Sequence, residues 1–276
     1  MGTLYVVATP IGNLQEMSPR AIQTLRDVDL IAAEDTRHTA TLLRAFDIRT
    51  PALSYHQHNE RAREDRLLAA LETGDVALVS DAGTPAIADP GNALVAAARA
   101  SGHQVVPVSG PSAVAAAVSA SGLVPGPYLF LGFVERGGDE RRVQLGKAAA
   151  SGYPVVLFES PVRLAGTLAD LAKVFGDREA IVARELTKLH EEIAGGTLAA
   201  LADRYADEEV RGEIVIVIGG EMRTADAGMN PERVVRSLLA QGMKPSRAAR
   251  EAAAITGLSG SDAYDLVRRI GSEQRA

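Results

Sequence analysis

Two short clusters in the chain set carboxylates beside cations: Glu34 and Asp35 with Arg37, and Glu185 with Lys188. A carboxylate held near a substrate hydroxyl can take its proton, an assistance of about 10²–10⁴-fold. An arginine or lysine beside it can clamp a phosphate or steady a developing alkoxide. The same residue types also serve as helix caps and surface ion pairs, so the pattern alone leaves both roles open. Around them lie loops of small residues: Pro10, Ile11 and Gly12; the stretch 80–91 with Gly83, Thr84 and Ile87; and Gly110 with Ser112 and Ala113. Small residues let a ligand touch the backbone, and prolines hold a loop in one shape. Within 80–91, Asp81 and Asp89 read as loop-fixing groups rather than catalysts. His56 and His58 would share one face of an extended segment. No third ligand stands at a sensible spacing, and no metal is expected.

Several other chemistries are excluded. The chain has no cysteine, which removes disulfides, thiolate metal sites and a cysteine nucleophile. No G-x-x-x-x-G-K-[ST] phosphate loop is present, and no G-x-G-x-x-G follows the first strand. A G-x-S-x-G elbow and an H-E-x-x-H zinc helix are likewise missing.

Each small-residue loop follows an apolar run that reads as a strand. Strands are expected at 3–9, 29–33, 52–55, 76–80 and 104–108, with helices at 18–26, 36–45, 60–72, 92–100 and 110–121. Continuous apolar strands alternating with helices are the signature of a largely parallel sheet covered on both faces. Loops after such strands gather at one sheet edge, where α/β proteins bind ligands. The glycine- and proline-rich stretch 122–127 marks a boundary. Beyond it, strands at 128–133, 154–158, 180–184 and 214–218 and helices at 162–175 and 198–206 surround a charged segment at 135–147; a mixed sheet is expected. After Gly219 and Gly220 a polar linker runs to Asn230. Three short helices follow at 231–239, 246–255 and 261–270, the last two joined like a helix-turn-helix. The fold class is α/β: two α/β domains, 1–121 and 122–220, then a linker and small helical domain at 221–276.

The net charge of −6 does not suit non-specific coating of nucleic acid, but it is unevenly spread. Residues 230–276 hold eight Lys/Arg against five Asp/Glu, a local +3, which leaves −9 on the rest. An acidic body with a mildly basic tail is compatible with an RNA or DNA contact at one end; the common explanation of such an imbalance is plain solvation. The N-terminus has no basic region ahead of an apolar stretch. No apolar run approaches the ~18–20 residues of a membrane span. A cytoplasmic protein without membrane contact is expected.

Six motifs in order carry a family resemblance: T-P-I-G-N-L at 9–14, A-E-D-T-R-H-T at 33–39, S-D-A-G-T-P at 80–85, G-P-S-A at 110–113, E-S-P at 159–161 and R-E-L-T-K at 184–188. Together they resemble the bacterial 16S rRNA (cytidine-2′-O)-methyltransferases, a branch of the tetrapyrrole-methylase-like, class III methyltransferases. The resemblance covers residues 2–220, and the tail resembles that family's small helical domain. Ser109 stands where a proline is usual, and the segment 132–137 departs from the usual proline-lysine ending.

The resemblance implies S-adenosyl-L-methionine as cofactor, bound between the two halves. Pro10, Ile11, Gly12, Gly83, Thr84, Ile87, Ser112 and Ala113 should line the site from the first half. Phe158, Leu186, Gly212 and Glu213 should do so from the second. It also implies a homodimer, and as partner 16S rRNA, within the small ribosomal subunit. Glu34, Asp35, Arg37, Glu185 and Lys188 are then the catalytic candidates, with Asp35 or Glu34 assisting deprotonation of a ribose hydroxyl. Arg136, Arg141, Arg142, Lys147, Arg247, Arg250, Arg268 and Arg269 are candidates to neutralise RNA phosphates. Two alternatives stay open: a methylase of a corrinoid or porphyrinoid precursor on the same fold, and a non-enzymatic RNA-binding assembly factor.

Overall fold

The apolar runs of the first half become a five-stranded sheet in the computed structural model, which describes residues 1–221 and 231–273. Its strands are β1 (Thr3–Val7), β2 (Leu30–Ala33), β3 (Ala52–Ser54), β4 (Val76–Val79) and β5 (Gln104–Val108). They lie in the order β3-β2-β4-β1-β5, and every pairing is parallel. Helices α1 (Pro19–Asp27), α2 (Thr36–Ala45), α3 (Glu60–Thr73) and α4 (Asn92–Ala100) make the crossovers, and α5 (Ala113–Ser121) leaves the last strand.

Side chains alternate across a strand, and β4 shows why its whole sequence is apolar. Ala77 and Val79 pack with Ala21 and Leu25 of α1 and Leu43 of α2. Val76 and Leu78 face the other way, onto Leu67 and Leu71 of α3 and Leu94 of α4. Both faces are covered, so no polar position remains. Burying one such leucine contributes about 1.5–3 kcal/mol, and a charge at Leu78 would have no partner.

The second half builds a mixed sheet, as the irregular spacing predicts. Its strands are β6 (Leu129–Phe133), β7 (Val155–Glu159), β8 (Glu179–Arg184), β9 (Glu192–Thr197) and β10 (Ile214–Ile218), in the order β6-β7-β10-β8-β9. Only β6 and β7 run parallel; the other pairs are antiparallel. Helices α6 (Gly138–Ala150), α7 (Leu164–Phe175) and α8 (Leu198–Arg204) cover one face.

Two elements depart from the sequence expectation. The charged segment is a helix, α6, whose Leu145 and Ala148 are buried. Strand β9, with the sequence EIAGGT, was not expected because glycines weaken β propensity and hide the alternation. It is held at the sheet edge by β8, with Arg184 and Glu192 paired across the ladder.

The central strand β10 is buried at all five positions. Ile214, Ile216 and Ile218 pack on Leu164, Leu168 and Leu171 of α7. Val215 and Val217 pack instead on Val114 and Ala117 of α5, a helix of the first half. The apolar core therefore continues across residue 121, and residues Met1–Gly220 form one compact unit.

A second compact unit is Glu221–Ala276. Within it α9 (Pro231–Ala240), α10 (Pro245–Thr256) and α11 (Gly260–Glu273) pack around Val235, Ala248, Ala252, Val267 and Ile270. Gly257 ends α10 at φ +75, a left-handed cap that favours glycine. Residues 222–230 of the expected linker lie outside the described residues. No helix among the described residues is long and apolar enough to cross a membrane.

Candidate active site

Parallel strands send all their following loops to one sheet edge. Ile11 follows β1, Glu34 follows β2, the 81–89 stretch follows β4, and Ser112 and Ala113 follow β5. In the second sheet Phe133 and Phe158 stand at the ends of β6 and β7. Strand β10 runs antiparallel to β7, so Gly212 and Glu213 before it and Ile214 and Val215 at its start meet the same edge. All of these border one cavity of about 390 Å³, a size ordinary for small-molecule sites.

Backbone pairing fixes the loops to one another. Thr9 N–H donates to Gly83 O at 2.8 Å and Gly83 N–H returns to Thr9 O at 3.1 Å. Thr84 Oγ1 donates to Pro111 O at 3.1 Å, tying the third loop to the fourth. Gly83 has φ +79, and a Cβ there would stand 3.3 Å from Ile11 Cγ2. The stretch continues through Ala86 (φ +66), Ala88 (φ +62) and Gly91 (φ +131). Left-handed alanines cost on the order of 1–3 kcal/mol each, and such strain gathers at ligand sites.

The residues expected to hold the cofactor mostly meet here. Ile11, Gly83, Thr84, Ile87, Ser112 and Ala113 line the cavity from the first half, and Phe158, Leu186, Gly212 and Glu213 from the second. Pro10 and Gly12 are not among its walls. A Cβ at Gly12 would fall 2.3 Å from Lys188 Cγ, so this glycine is where the first loop packs on the 185–188 turn.

The five catalytic candidates separate by position. Asp35 caps α2, accepting from Arg37 N–H at 2.8 Å, and also pairs with the Arg37 guanidinium at 2.8 Å. Those bonds hold its carboxyl down to about 2, and neither residue lines the cavity. Glu185 accepts from Lys188 Nζ at 2.8 Å and from Glu213 N–H at 3.1 Å. Lys188 also donates to Glu213 at 3.0 Å, so the two form a latch behind the wall. The lysine holds the Glu185 carboxyl below its ordinary value. Glu34 alone of the five borders the cavity.

Two other carboxylates at the cavity, Asp81 and Glu159, are already committed. Asp81 accepts from Asp35 N–H at 3.0 Å, the loop-fixing role expected of it. Glu159 is buried and accepts from Thr167 Oγ1 at 2.6 Å, with the Arg163 guanidinium at 3.3 Å. Asp89, also expected as loop-fixing, borders the cavity. Burial, and then the charge of Glu34, push its carboxyl up to about 6; Asp81 and Glu213 add to the rise and a Ser80 hydrogen bond opposes it. Burial raises Glu34 as well. Two carboxylates that resist ionisation thus share one wall.

The Tetrapyrrole (Corrin/Porphyrin) Methylases family matches residues 3–202. A Ribosomal RNA small subunit methyltransferase I of Synechocystis sp. is 45% identical over 271 residues, 96% of this chain and 97% of that one. Its namesake from Xylella fastidiosa is 47% identical, over 93% of this chain and 95% of that one. The chain belongs to the ribosomal RNA small subunit methyltransferase I branch of the tetrapyrrole methylase family. A solved cobalt precorrin-4 methyltransferase, 19% identical, superposes with a TM-score of 0.60 over 79% of this chain and 94% of that one, which shows the shared fold.

In this methyltransferase, sequence reasoning did not single out Phe133 as a wall of the site, nor Asp89 as one of its free carboxylates. The position of Phe133 at the end of β6 and of Asp89 in the loop after β4 was the available signal; the irregularity in β6 that sets the Phe133 ring against Phe158 was not. Of the cations considered for RNA, Arg141 is corrected. It is buried, with its guanidinium donating to Thr167 Oγ1 at 3.0 Å and Glu135 O at 2.8 Å and paired with Asp170 at 3.3 Å. Arg142 pairs with Asp139, Arg247 with Glu251 and Arg269 with Glu232. Arg136, Lys147, Arg250 and Arg268 are exposed. No group of three or more His, Asp or Glu that could hold a metal occurs among the described residues.

Proposed function

We propose that the chain transfers a methyl group from S-adenosyl-L-methionine to the 2′-hydroxyl of a cytidine in the decoding region of 16S rRNA. The observation that carries this reading is the cavity itself, with Glu34 and Asp89 on one wall.

The residues present fit the cofactor. Ile11, Ile87, Phe158 and Leu186 offer apolar faces for an adenine, and the tight loops at Gly83–Thr84 and Ser112–Ala113 offer backbone groups for its edges. The acidic wall suits a sulfonium cation. When bound, the cofactor supplies an electrophilic methyl carbon. The chain's own part is alignment and proton removal. Holding the hydroxyl in line is worth several kcal/mol in general. Asp35 and Glu185 are spent on cations, which leaves the Glu34–Asp89 pair to take the 2′-hydroxyl proton. A carboxylate near 6 is ionised at neutral pH yet more basic than an ordinary one.

The test is methyl transfer from labelled cofactor to small ribosomal subunits, naked rRNA and a porphyrinoid precursor, with the modified position mapped. Label on a cytidine ribose supports the reading. Label on the tetrapyrrole alone would replace it with the corrin-type alternative, and no cofactor binding at all would leave a non-enzymatic RNA-binding role. The resemblance also implies a cytoplasmic homodimer acting on the small subunit, which sedimentation of the free enzyme and of its complex would check.

A further inference from the structure

Strand β6 carries an irregularity that reshapes the cavity mouth. Phe130 pairs with Val156, but Phe133 pairs with Phe158, so β6 spends one more residue than β7 over the same length. Gly132 takes up the extra residue at φ +61, as in glycine β-bulges, which commonly re-aim a side chain beside an active site. In a regular strand residues three apart point to opposite faces. Here both rings pack on Phe158, with centroids at 5.1 Å for Phe130 and 5.5 Å for Phe133. Phe130 is partly buried, while Phe133 is 59% exposed. The bulge therefore presents an aromatic ring to solvent, braced from behind.

Phe133 also begins a second, open groove of about 920 Å³, which shares Phe133, Glu159 and Ser160 with the cavity. Gln57, after β3, borders it from the first half. Arg163 stiffens the wall, donating to Val134 O at 3.0 Å and pairing with Glu159 at 3.3 Å. Arg136 is exposed and has no partner among the described residues. The groove thus offers one braced aromatic face and one free cation, three residues apart. Glu135 borders it too, which limits its charge to what suits one phosphate.

We propose that this groove holds the base of the target nucleotide, stacked on Phe133, with a flanking phosphate on Arg136 and the ribose at the cavity mouth. The inference rests on the reading of the chain as an rRNA ribose methyltransferase. A ribose hydroxyl reaches into a recessed cavity most readily when its nucleotide is splayed out of the stack, and an aromatic platform replaces the stacking lost. Continuity of the groove with the cavity lets one nucleotide reach both.

The test compares Phe133→Leu with Phe133→Tyr and Arg136→Gln with Arg136→Lys. The readouts are KM for small ribosomal subunits, its salt dependence, and cofactor affinity by calorimetry. Phe133→Leu fills similar space without a π face and should raise KM about tenfold, while Phe133→Tyr stays near the parent. Arg136→Gln should raise KM and flatten the logarithmic salt slope by about 0.7, one single-strand phosphate, with Arg136→Lys restoring it. Unchanged KM and slope in a parent enzyme that methylates RNA would overturn the proposal and leave the activity standing. So would a loss of cofactor affinity in Phe133→Leu as large as its rise in KM. A parent that binds cofactor but methylates no RNA defeats the functional reading itself.

Discussion

Replacing Asp89 with asparagine should make the protein more stable and the enzyme slower. Asp89 sits against Glu34, Asp81 and Glu213, and burial with those charges lifts its carboxyl from 3.8 to about 6. A group whose pKa is raised on folding resists ionisation in the folded state. The resulting cost is absent below the unfolded pKa of 3.8, grows as pH rises from there, and is complete above about 6. A rise of roughly 2 units at 1.36 kcal/mol each sets a ceiling of about 3 kcal/mol. Solvent screening of a half-buried carboxylate reduces this to ~1–2 kcal/mol. The neutral amide keeps the shape and removes the charge. Urea unfolding followed by circular dichroism should therefore show Asp89→Asn level with the parent at pH 3.5 and ahead of it at pH 7.5. Single-turnover methyl transfer should fall by about 10²-fold or more, and the parent's kcat/KM should decline below about pH 6. A variant less stable than the parent at pH 7.5, or a gap of the same size at both pH values, would refute the reasoning.

Other substitutions probe the remaining walls. Asp35→Ala should loosen the start of α2 and lower the melting temperature, yet leave the single-turnover rate within a few-fold, because Arg37 already occupies that carboxylate. Gly83→Ala forces a side chain into φ +79 against Ile11 and should cost about 1–3 kcal/mol; calorimetry should show weaker cofactor binding as well. Removing residues 221–276, a compact unit of their own, should raise KM for small subunits while cofactor affinity stays at the parent value.

Much of the fold was legible because it rests on burial. Val76, Ala77, Leu78 and Val79, a short apolar run bounded by Gly74 and the turn residues after Ser80, read as a strand covered on both sides, and the alternation of such runs with helices leads to a parallel sheet. Strand β9 was not, since Gly195 and Gly196 carry no side chain to alternate and the β8 ladder alone holds them extended. The cavity walls were reached largely through the family motifs, with Gly12 the instructive exception: its small size serves packing on Lys188, not a ligand. Carboxylate roles were beyond the sequence. Asp35 and Asp89 look alike as letters, and only their surroundings, a guanidinium for one and burial beside another carboxylate for the other, set them apart.

The packing of α5 on Val215 and Val217 has a bearing on traffic through the enzyme. A cleft walled by two separately folded lobes can widen by a hinge. These walls share one dry seam, so swinging them apart would wet Val114, Ala117 and both valines at about 25 cal/mol for every Å² exposed. Entry and exit then fall to adjustments of the loops that line the cavity, Gly83 to Asp89 among them. The binding geometry is in place before anything arrives.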